Sequence, residues 1–313
     1  MRLSVVVCTY DRYDVLHGAL RGLAEQTLPK TEFEILVIDN SPDAKRSAAQ
    51  SLKHNSIPNL TWVHETKAGL SNARNVGTAR ARGEIIAFLD DDAIPSPVWG
   101  TELLAAFDHF GPKTAVIGGK VVPLFMTERP TWLTDKLLNH LSMVDLGEER
   151  RLVAEGEWVV GANIAYRAED LKETGGFSTN LGRIGNVGLL SAEETEIAAK
   201  LKARGLLTGY APAVQVQHLV DTTRTSEAWF ARRFAWQAVS AVLSGEFGSP
   251  ADVETASLAL RKYFAHLHPS DRHIGALLVD QSGSGELDWQ LGTIFNLMIV
   301  LLVRGRFPST AAA

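Results

Sequence analysis

Apolar positions in the first 120 residues switch repeatedly between two periods. Leu3 to Cys8 is a short β-branched run of the kind that fills a strand covered on both faces. Val15 to Glu25 carries apolar residues at helical spacing, Glu34 to Ile38 returns to a strand pattern, and Leu60 to His64 gives a third strand. Leu70 to Arg82 reads as a helix that Ser71 can start and Gly83 can end. Glu84 to Leu89 is a fourth strand, halted by Asp90, Asp91 and Asp92. Repeated strand–helix–strand units predict an α/β domain with a mostly parallel sheet and right-handed crossovers.

After Pro112 the pattern loosens. Thr114 to Val121 and Trp158 to Tyr166 read as strands, and Val214 to Gln217 as a last short one. Phe125 to Arg151, with Pro, Trp and mixed charge, reads as an excursion over the surface. Ala192 to Arg204 is an amphipathic helix. From Ser226 the pattern is helical over Glu227–Leu243, Ala251–His266 and Leu287–Val303, with loops at Gly245–Pro250 and Asp280–Gly285. Two regions are therefore expected: an α/β domain over residues 1–222 and a helical extension over 223–313.

Composition narrows the partners. The 313 residues are 45% hydrophobic and 21% charged, enough to bury a core, and the formal net charge is −5. Without a basic surplus, nucleic acid is not expected as a partner, because that binding depends on Lys and Arg neutralising phosphates. Cys8 is the one cysteine, so no internal disulfide forms, as suits a reducing compartment. The start of the chain lacks the apolar segment of a secretory signal. The uncharged run Trp289–Val303 is shorter than the roughly 20 residues that cross a bilayer. It reads as a core helix, the alternative being a membrane-surface helix ending at Arg304 and Arg306. The expected location is cytoplasmic, with the inner membrane face as the second choice.

Chemistry concentrates at the strand ends. Asp90, Asp91 and Asp92 stand where open α/β sheets bind ligands, outside the carboxyl ends of strands. Adjacent carboxylates repel, and a hard divalent cation relieves that repulsion; a solvated acidic turn is the plain alternative. Asp39 ends the second strand and can accept hydrogen bonds from a ribose or a base N–H, or simply make an Asx turn. Thr9, Tyr10 and Arg12 follow the first strand and share that edge. Gly69 precedes a helix whose free N–H groups suit an anion, and Arg74 adds a fork for phosphate or for a carboxylate such as Asp39. Glu193, Glu194 and Glu196 fall in the first turn of a helix, where the dipole favours acids. One of them can instead serve as a general base. His218 ends the last strand and can complete a metal site, or serve as a structural histidine. Arg224, Arg232 and Arg233 supply positive charge that could meet a diphosphate. Trp132, Trp158 and Trp229 offer faces to sugar rings, or pack a core.

Seven segments then occur in a fixed order: Val5 to Arg12, Val37 to Ser41, Gly69 to Gly77, Ala81 to Asp92, Gly161 to Asn163, Gly175 to Phe177, and Ser191 to Glu196. Together, over Leu3 to His218, they resemble the family-2 glycosyltransferases of the GT-A fold. The resemblance implies a Rossmann-like αβα sandwich with a mostly parallel central sheet and a C-terminal helical extension. It implies that Thr9, Tyr10, Arg12 and Asp39 hold the nucleoside, with Gly69, Arg74 and Asp91 beside the nucleotide. Asp90 and Asp92 would be the Asp-x-Asp pair, Asp92 the direct ligand of Mg2+ or Mn2+, and His218 near the metal or diphosphate. Gly161 to Asn163 would floor the donor sugar. Glu193-Glu194 stands where the family usually has Glu-Asp, which makes Glu194 the base, one methylene longer than Asp.

The implied reaction is inverting transfer from a nucleotide-sugar, UDP-linked by preference, to a hydroxyl of a glycan or lipid-linked acceptor. The C-terminal helices would cover the acceptor, mediate homo-oligomerisation or touch a membrane. Two other readings compete. A sugar-nucleotidyltransferase needs a Gly-rich phosphate loop after the first strand, and Thr9 to Tyr13 has no glycine. A non-catalytic nucleotide-sugar-binding module has no use for the acidic pair together with Glu193-Glu194.

Overall fold

The computed structural model describes residues 1–185, 188–269 and 287–306. Among these, nine strands form one mixed sheet: β1 (Leu3–Thr9), β2 (Phe33–Asp39), β3 (Leu60–His64), β4 (Ile85–Asp90), β5 (Ala93–Pro95), β6 (Thr114–Phe125), β7 (Arg151–Leu152), β8 (Asn163–Arg167) and β9 (Leu207–Val220). The order is β3-β2-β1-β4-β8-β6-β9-β5, with β7 pairing β9. Strands β3, β2, β1 and β4 run parallel, β8 runs antiparallel between β4 and β6, and β9 is parallel to β6. The expected mostly parallel α/β sheet is present. Strands β1, β2 and β4 are the apolar runs that burial on both faces selects, whereas β3, at the sheet edge, has no fully buried residue. Val5, Val6 and Val7 are wholly buried.

The helices in chain order are α1 (Tyr13–Ala24), α2 (Ala44–Lys53), α3 (Leu70–Arg80), α4 (Trp99–Phe110), α5 (Ala168–Glu173), α6 (Glu193–Ala203), α7 (Glu227–Leu243), α8 (Pro250–His266) and α9 (Leu287–Arg306). Helix α2 went unread because it is polar and buries only Ser47; Asp43 caps it through the N–H groups of Lys45 and Arg46. Helices α3 and α6 bring Ala73, Ile197 and Leu201 onto Val6, Leu36, Phe88, Ile164 and Tyr166 of the sheet. Contact between α3 and β1 is close. A Cβ on Gly77 would lie 2.4 Å from Val6 Cγ1.

The chain forms two compact units. The first comprises Met1–Met126, Leu141–Asn186 and Glu193–Val220; the second Thr127–His140, Val187–Ala192 and Asp221–Ala313. In the second, Ala238 and Val242 of α7, Ala256 of α8, and Ile299, Val300 and Val303 of α9 form a separate apolar core.

Several expectations change. The strand read over Trp158–Tyr166 begins at Asn163, because the chain turns at 160–163, where Asn163 N–H donates to the Val160 carbonyl at 3.1 Å. The short strand Val214–Gln217 extends over fourteen residues, since β9 pairs along β6 with two register shifts. The Phe125–Arg151 excursion is not purely superficial: Leu133, Leu137, Leu141, Met143 and Val144 are buried, and a 3-10 helix covers Asp135–Leu141. Helix α9 outruns the uncharged stretch that defined it. Leu287–Gly305 is long and apolar enough to cross a membrane by length and composition alone, and 39% of its apolar stretch is buried. The Asp280–Gly285 loop lies outside the described residues.

The Gly77 contact gives a test. Gly→Ala inside a helix ordinarily gains about 1 kcal/mol. Here the methyl meets the stiff, buried Val6, and overpacking of this kind costs about 1–3 kcal/mol. Gly77→Ala is therefore expected to lower the urea midpoint. The Val6→Ala change, added to it, should cost less than it does in the wild type.

Candidate active site

The strand ends converge. In register, Thr9 at the end of β1 lies beside Asp39 of β2, and Cys8 lies beside Asp90 of β4. The parallel pairing thus puts the Asp39 corner and the acidic run on one edge of the sheet. β5 then pairs with β9 so that Ala93 faces His218, and Leu219 N–H donates to the Asp92 carbonyl at 2.9 Å. This pairing carries His218, 126 positions downstream of Asp92, back to it: His218 Nε2 is 3.0 Å from Asp92 Oδ1.

Asp90, Asp92 and His218 each present a ligand atom, and these lie within 4.8 Å of one another. Both Asp92 and His218 are buried. The Nδ1 of His218 is buried with no hydrogen-bond partner among the described residues, an orphaned polar atom beside the two aspartates. Two carboxylates suit a hard cation such as Mg2+ or Mn2+, and an imidazole adds a nitrogen donor. The donor set fits a divalent ion.

Thr9, Arg12 and Asp91 form a network of their own. Arg12 bridges two aspartates, Nη1 to Asp91 Oδ1 and Nη2 to Asp92 Oδ2, each at 2.6 Å. Thr9 Oγ1 donates to Asp91 Oδ2 at 2.7 Å. Burial pushes the Asp91 carboxyl up to about 7, with Arg12 drawing it back and Asp92 raising it further. These three were expected to face a nucleotide; here crowded carboxylates need positive charge, and Arg12 supplies it.

Asp39 is wholly buried and accepts from Tyr13 Oη at 2.9 Å and from the Ser41 amide at 3.1 Å and hydroxyl. Tyr13 and Ser41 escaped the sequence reading, although both lie within a few residues of the strand ends that were read. Asn40 fixes the next loop: its Nδ2 donates to the Glu65 and Lys67 carbonyls, and its Oδ1 accepts from Gly69 N–H at 2.7 Å. That changes the expectation for Gly69. With φ at 139° it turns the chain into α3, but its own amide is engaged by Asn40, and Leu70 N–H donates to the Arg183 carbonyl at 2.8 Å. The start of α3 thus directs these amides to protein acceptors rather than to an anion. Tyr10 is half-buried, and its hydroxyl would lie 3.3 Å from a Cβ on Gly185.

Arg74 does not clamp Asp39. Its Nη1 is 2.9 Å from Glu193 Oε1 and 3.2 Å from Glu194 Oε1, and its Nη2 is 3.9 Å from Asp90 Oδ1. The guanidinium also lies over the Phe88 and Phe177 rings, 5.7 and 5.4 Å from their centroids. Side-chain exposure is 3% for Glu193 and 19% for Glu194, so only the second opens outward. Burial pushes the Glu193 carboxyl up to about 7, Glu194 adding to the rise and Arg74 opposing it. Asn163 is an internal tie. Its Oδ1 accepts from Trp99 Nε1 at 2.9 Å, and its Nδ2 donates to the Val214 and Lys120 carbonyls.

Other candidates lie in the second unit. Arg224 is buried beneath Trp229, and Arg233 donates to the Leu189 carbonyl at 3.0 Å. Trp132 and Trp229 pack edge-on against Phe230. Trp158, in the first unit, is 54% exposed.

The raised Glu193 carboxyl has a measurable consequence. Its folded value lies above the ordinary one near 4.5, so its stabilising contribution is full below that value and is lost as pH rises through about 7. Glu193→Gln should therefore narrow the difference between urea midpoints measured at pH 5 and pH 8 in chelator. An unchanged difference would mean that Glu193 is ionised throughout.

Residues 4–174, more than half of the chain, match the family model described as Glycosyl transferase family 2. The chain is 26% identical over 242 residues to the glucosyl-dolichyl phosphate glucuronosyltransferase of Haloferax volcanii, spanning 77% of this chain and 76% of that protein. It is 27% identical over 238 residues to the succinoglycan biosynthesis protein ExoM of Rhizobium meliloti, spanning 74% and 72%. Among solved structures, a mannosyltransferase from Pyrobaculum calidifontis in complex with GDP-Man and Mn2+ aligns with TM-score 0.61 at 22% identity, covering 98% of this chain and 87% of that one. TarS 1-349 of Staphylococcus aureus in complex with UDP aligns with TM-score 0.54 at 17% identity, covering 99% and 93%. At such identities the structural likeness speaks for the fold, which is GT-A, and with the match of the family model it is conclusive: this chain is a glycosyltransferase and belongs to glycosyl transferase family 2.

Proposed function

We propose that this glycosyltransferase moves a sugar, with inversion, from a nucleoside-diphosphate donor to a hydroxyl of a glycan or lipid-linked acceptor, with a divalent cation and Glu194 as general base. One observation carries the proposal. The ligand atoms of Asp90, Asp92 and His218 converge within 4.8 Å, on the sheet edge that also holds Asp39, and Arg74 links Asp90 to Glu194.

Asp90, Asp92 and His218 would hold Mg2+ or Mn2+, which when bound neutralises charge on a diphosphate. Arg12 keeps Asp91 and Asp92 in place beneath that position. Glu194, open to solvent where Glu193 is sealed, takes the acceptor proton. The acceptor oxygen forms its bond to the anomeric carbon from the face opposite the nucleotide. The carbon–oxygen bond to the diphosphate breaks, and its electron pair leaves with the nucleotide. An α-linked donor then gives a β-linked product. A nucleotidyltransferase finds no support at this site, because the turn after β1 carries Arg12 bridging aspartates rather than a phosphate loop.

The names of the relatives bear on the acceptor. One is described as acting on a glucosyl-dolichyl phosphate and another as a succinoglycan biosynthesis protein. A lipid-linked or polymeric glycan acceptor is consistent with both. A lipid-linked acceptor would also give the second unit a role, with apolar α9 and exposed Leu243, Leu258 and Leu301 meeting the inner face of a membrane. Pairing of two chains through the same helices is the competing role. Of the three tryptophans, Trp158 is the most exposed and offers its face to a sugar ring.

Nucleotide release over a panel of UDP- and GDP-sugars, with anomeric analysis of the product by NMR, tests the reaction. Loss of the base should lower turnover by on the order of a hundredfold or more, so Glu194→Gln turning over near the wild-type rate would remove that residue from the mechanism. Asp92→Ala should abolish transfer, as should chelation of the wild type, with recovery on adding Mn2+ or Mg2+. Full activity of Asp92→Ala in chelator would remove the metal.

A further inference from the structure

The site leaves unexplained why a fully charged guanidinium is sealed beneath it. Arg74 is 3% exposed, and among the described residues its guanidinium forms ion pairs with three carboxylates, those of Glu193, Glu194 and Asp90. The three carboxylates differ in their access to solvent. Glu193 is sealed with the arginine, whereas the side chains of Glu194 and Asp90 are 19% and 34% exposed. The arginine is therefore anchored from below by Glu193, Phe88 and Phe177, and it reaches upward to the two carboxylates that can meet substrate.

Gly161 closes the arrangement. A Cβ there would lie 2.0 Å from Glu194 Oε1 and 2.3 Å from Arg74 Nη2. The ion pair thus rests directly on backbone, and that backbone is fixed. Asp90 N–H donates to the Ala162 carbonyl at 3.4 Å, and Asn163 N–H to that of Val160 at 3.1 Å. Strand β4, helix α3, the start of α6 and the turn before β8 meet at one guanidinium.

We propose that Arg74 is the positioning residue for the general base: it holds the Glu194 carboxylate at a fixed place from a seat set by Glu193, in the space that Gly161 leaves open. This rests on the assignment of Glu194 made above. A base aligned before substrate arrives avoids the penalty of misplacement, for which 1 Å costs on the order of a hundredfold. The planar fork is needed because one guanidinium must face three carboxylates at once; a lysine carries the charge without the fork. The competing role, direct binding of the donor diphosphate by Arg74, would require an anion to reach a guanidinium that is 3% exposed and already faces three carboxylates.

The test separates binding from turnover. Binding of UDP and of GDP in the presence of Mn2+ is measured by calorimetry for the wild type, Arg74→Lys, Gly161→Ala, Glu193→Gln and Glu193→Ala. Turnover is measured as release of the nucleotide from whichever UDP- or GDP-sugar the wild type uses. Nucleotide Kd should stay within about threefold of the wild type, while kcat falls by on the order of thirty- to a hundredfold in Arg74→Lys and Gly161→Ala. Glu193→Gln keeps an oxygen for Arg74 and should retain more kcat than Glu193→Ala. A crystal structure of Gly161→Ala should show the Glu194 carboxylate displaced. A Kd weakened tenfold or more with kcat retained would make Arg74 a donor-binding residue instead. An undisplaced Glu194 in Gly161→Ala would equally overturn the proposal. If Arg74→Lys does not fold, Gly161→Ala and the Glu193 pair decide. If the wild type releases nucleotide from no donor, the proposed reaction fails, and the position of Glu194 in Gly161→Ala still decides this inference.

Discussion

Crowded negative charge at the end of a buried strand is the constraint on which this site depends. Asp90, Asp91 and Asp92 follow one another, and Glu193 and Glu194 join them from another element. Carboxylates so close, several of them buried, cannot all ionise without compensating cations. The fold meets this with two arginines from two directions, Arg12 on Asp91 and Asp92 and Arg74 on Asp90, Glu193 and Glu194. Burial, and after it the neighbouring carboxylate, still raises the Asp91 and Glu193 carboxyls, against the opposing pull of the two arginines. An acidic site left short of positive charge has a standing attraction for a divalent cation.

The architecture follows from that requirement as much as from burial. Parallel pairing of β2, β1 and β4 delivers Asp39, Thr9 and Asp90 to one edge. The three-residue β5 then redirects the chain after the acidic run, so that β9 returns His218 beside Asp92. Antiparallel β8, inserted between β4 and β6, brings Gly161 and Asn163 beneath the same edge. Asn163 ties that turn to β6 and β9 through carbonyls of Lys120 and Val214. Side chains that look like ligand-binding candidates in a linear motif can thus be fully engaged in holding others still.

Legibility differed between fold and site for physical reasons. Strands β1, β2 and β4 and helices α7 to α9 could be read because their apolar spacing reports burial directly. Helix α2 and strand β5 were missed because one buries almost nothing and the other is three residues long. In the site, Thr9, Asp39, Asp90, Asp92 and His218 stand on one sheet edge, but the partners of several candidates differ from those read in the sequence. Arg74 meets Glu193 and Glu194 rather than Asp39, Arg12 bridges aspartates, and Gly69 directs its amide to Asn40.

The sequence by itself determined the alternation of strands and helices, the acidic run at a strand end and the family. These are carried by local periodicity and by residues adjacent in the chain. Only the tertiary structure decided which charge neutralises which. Ion pairs between residues 119 positions apart, such as Arg74 with Glu193, depend on the order and register of strands that a linear pattern does not encode. The same holds for the space at Gly161. A missing Cβ has meaning only once Glu194 and Arg74 have been folded against it.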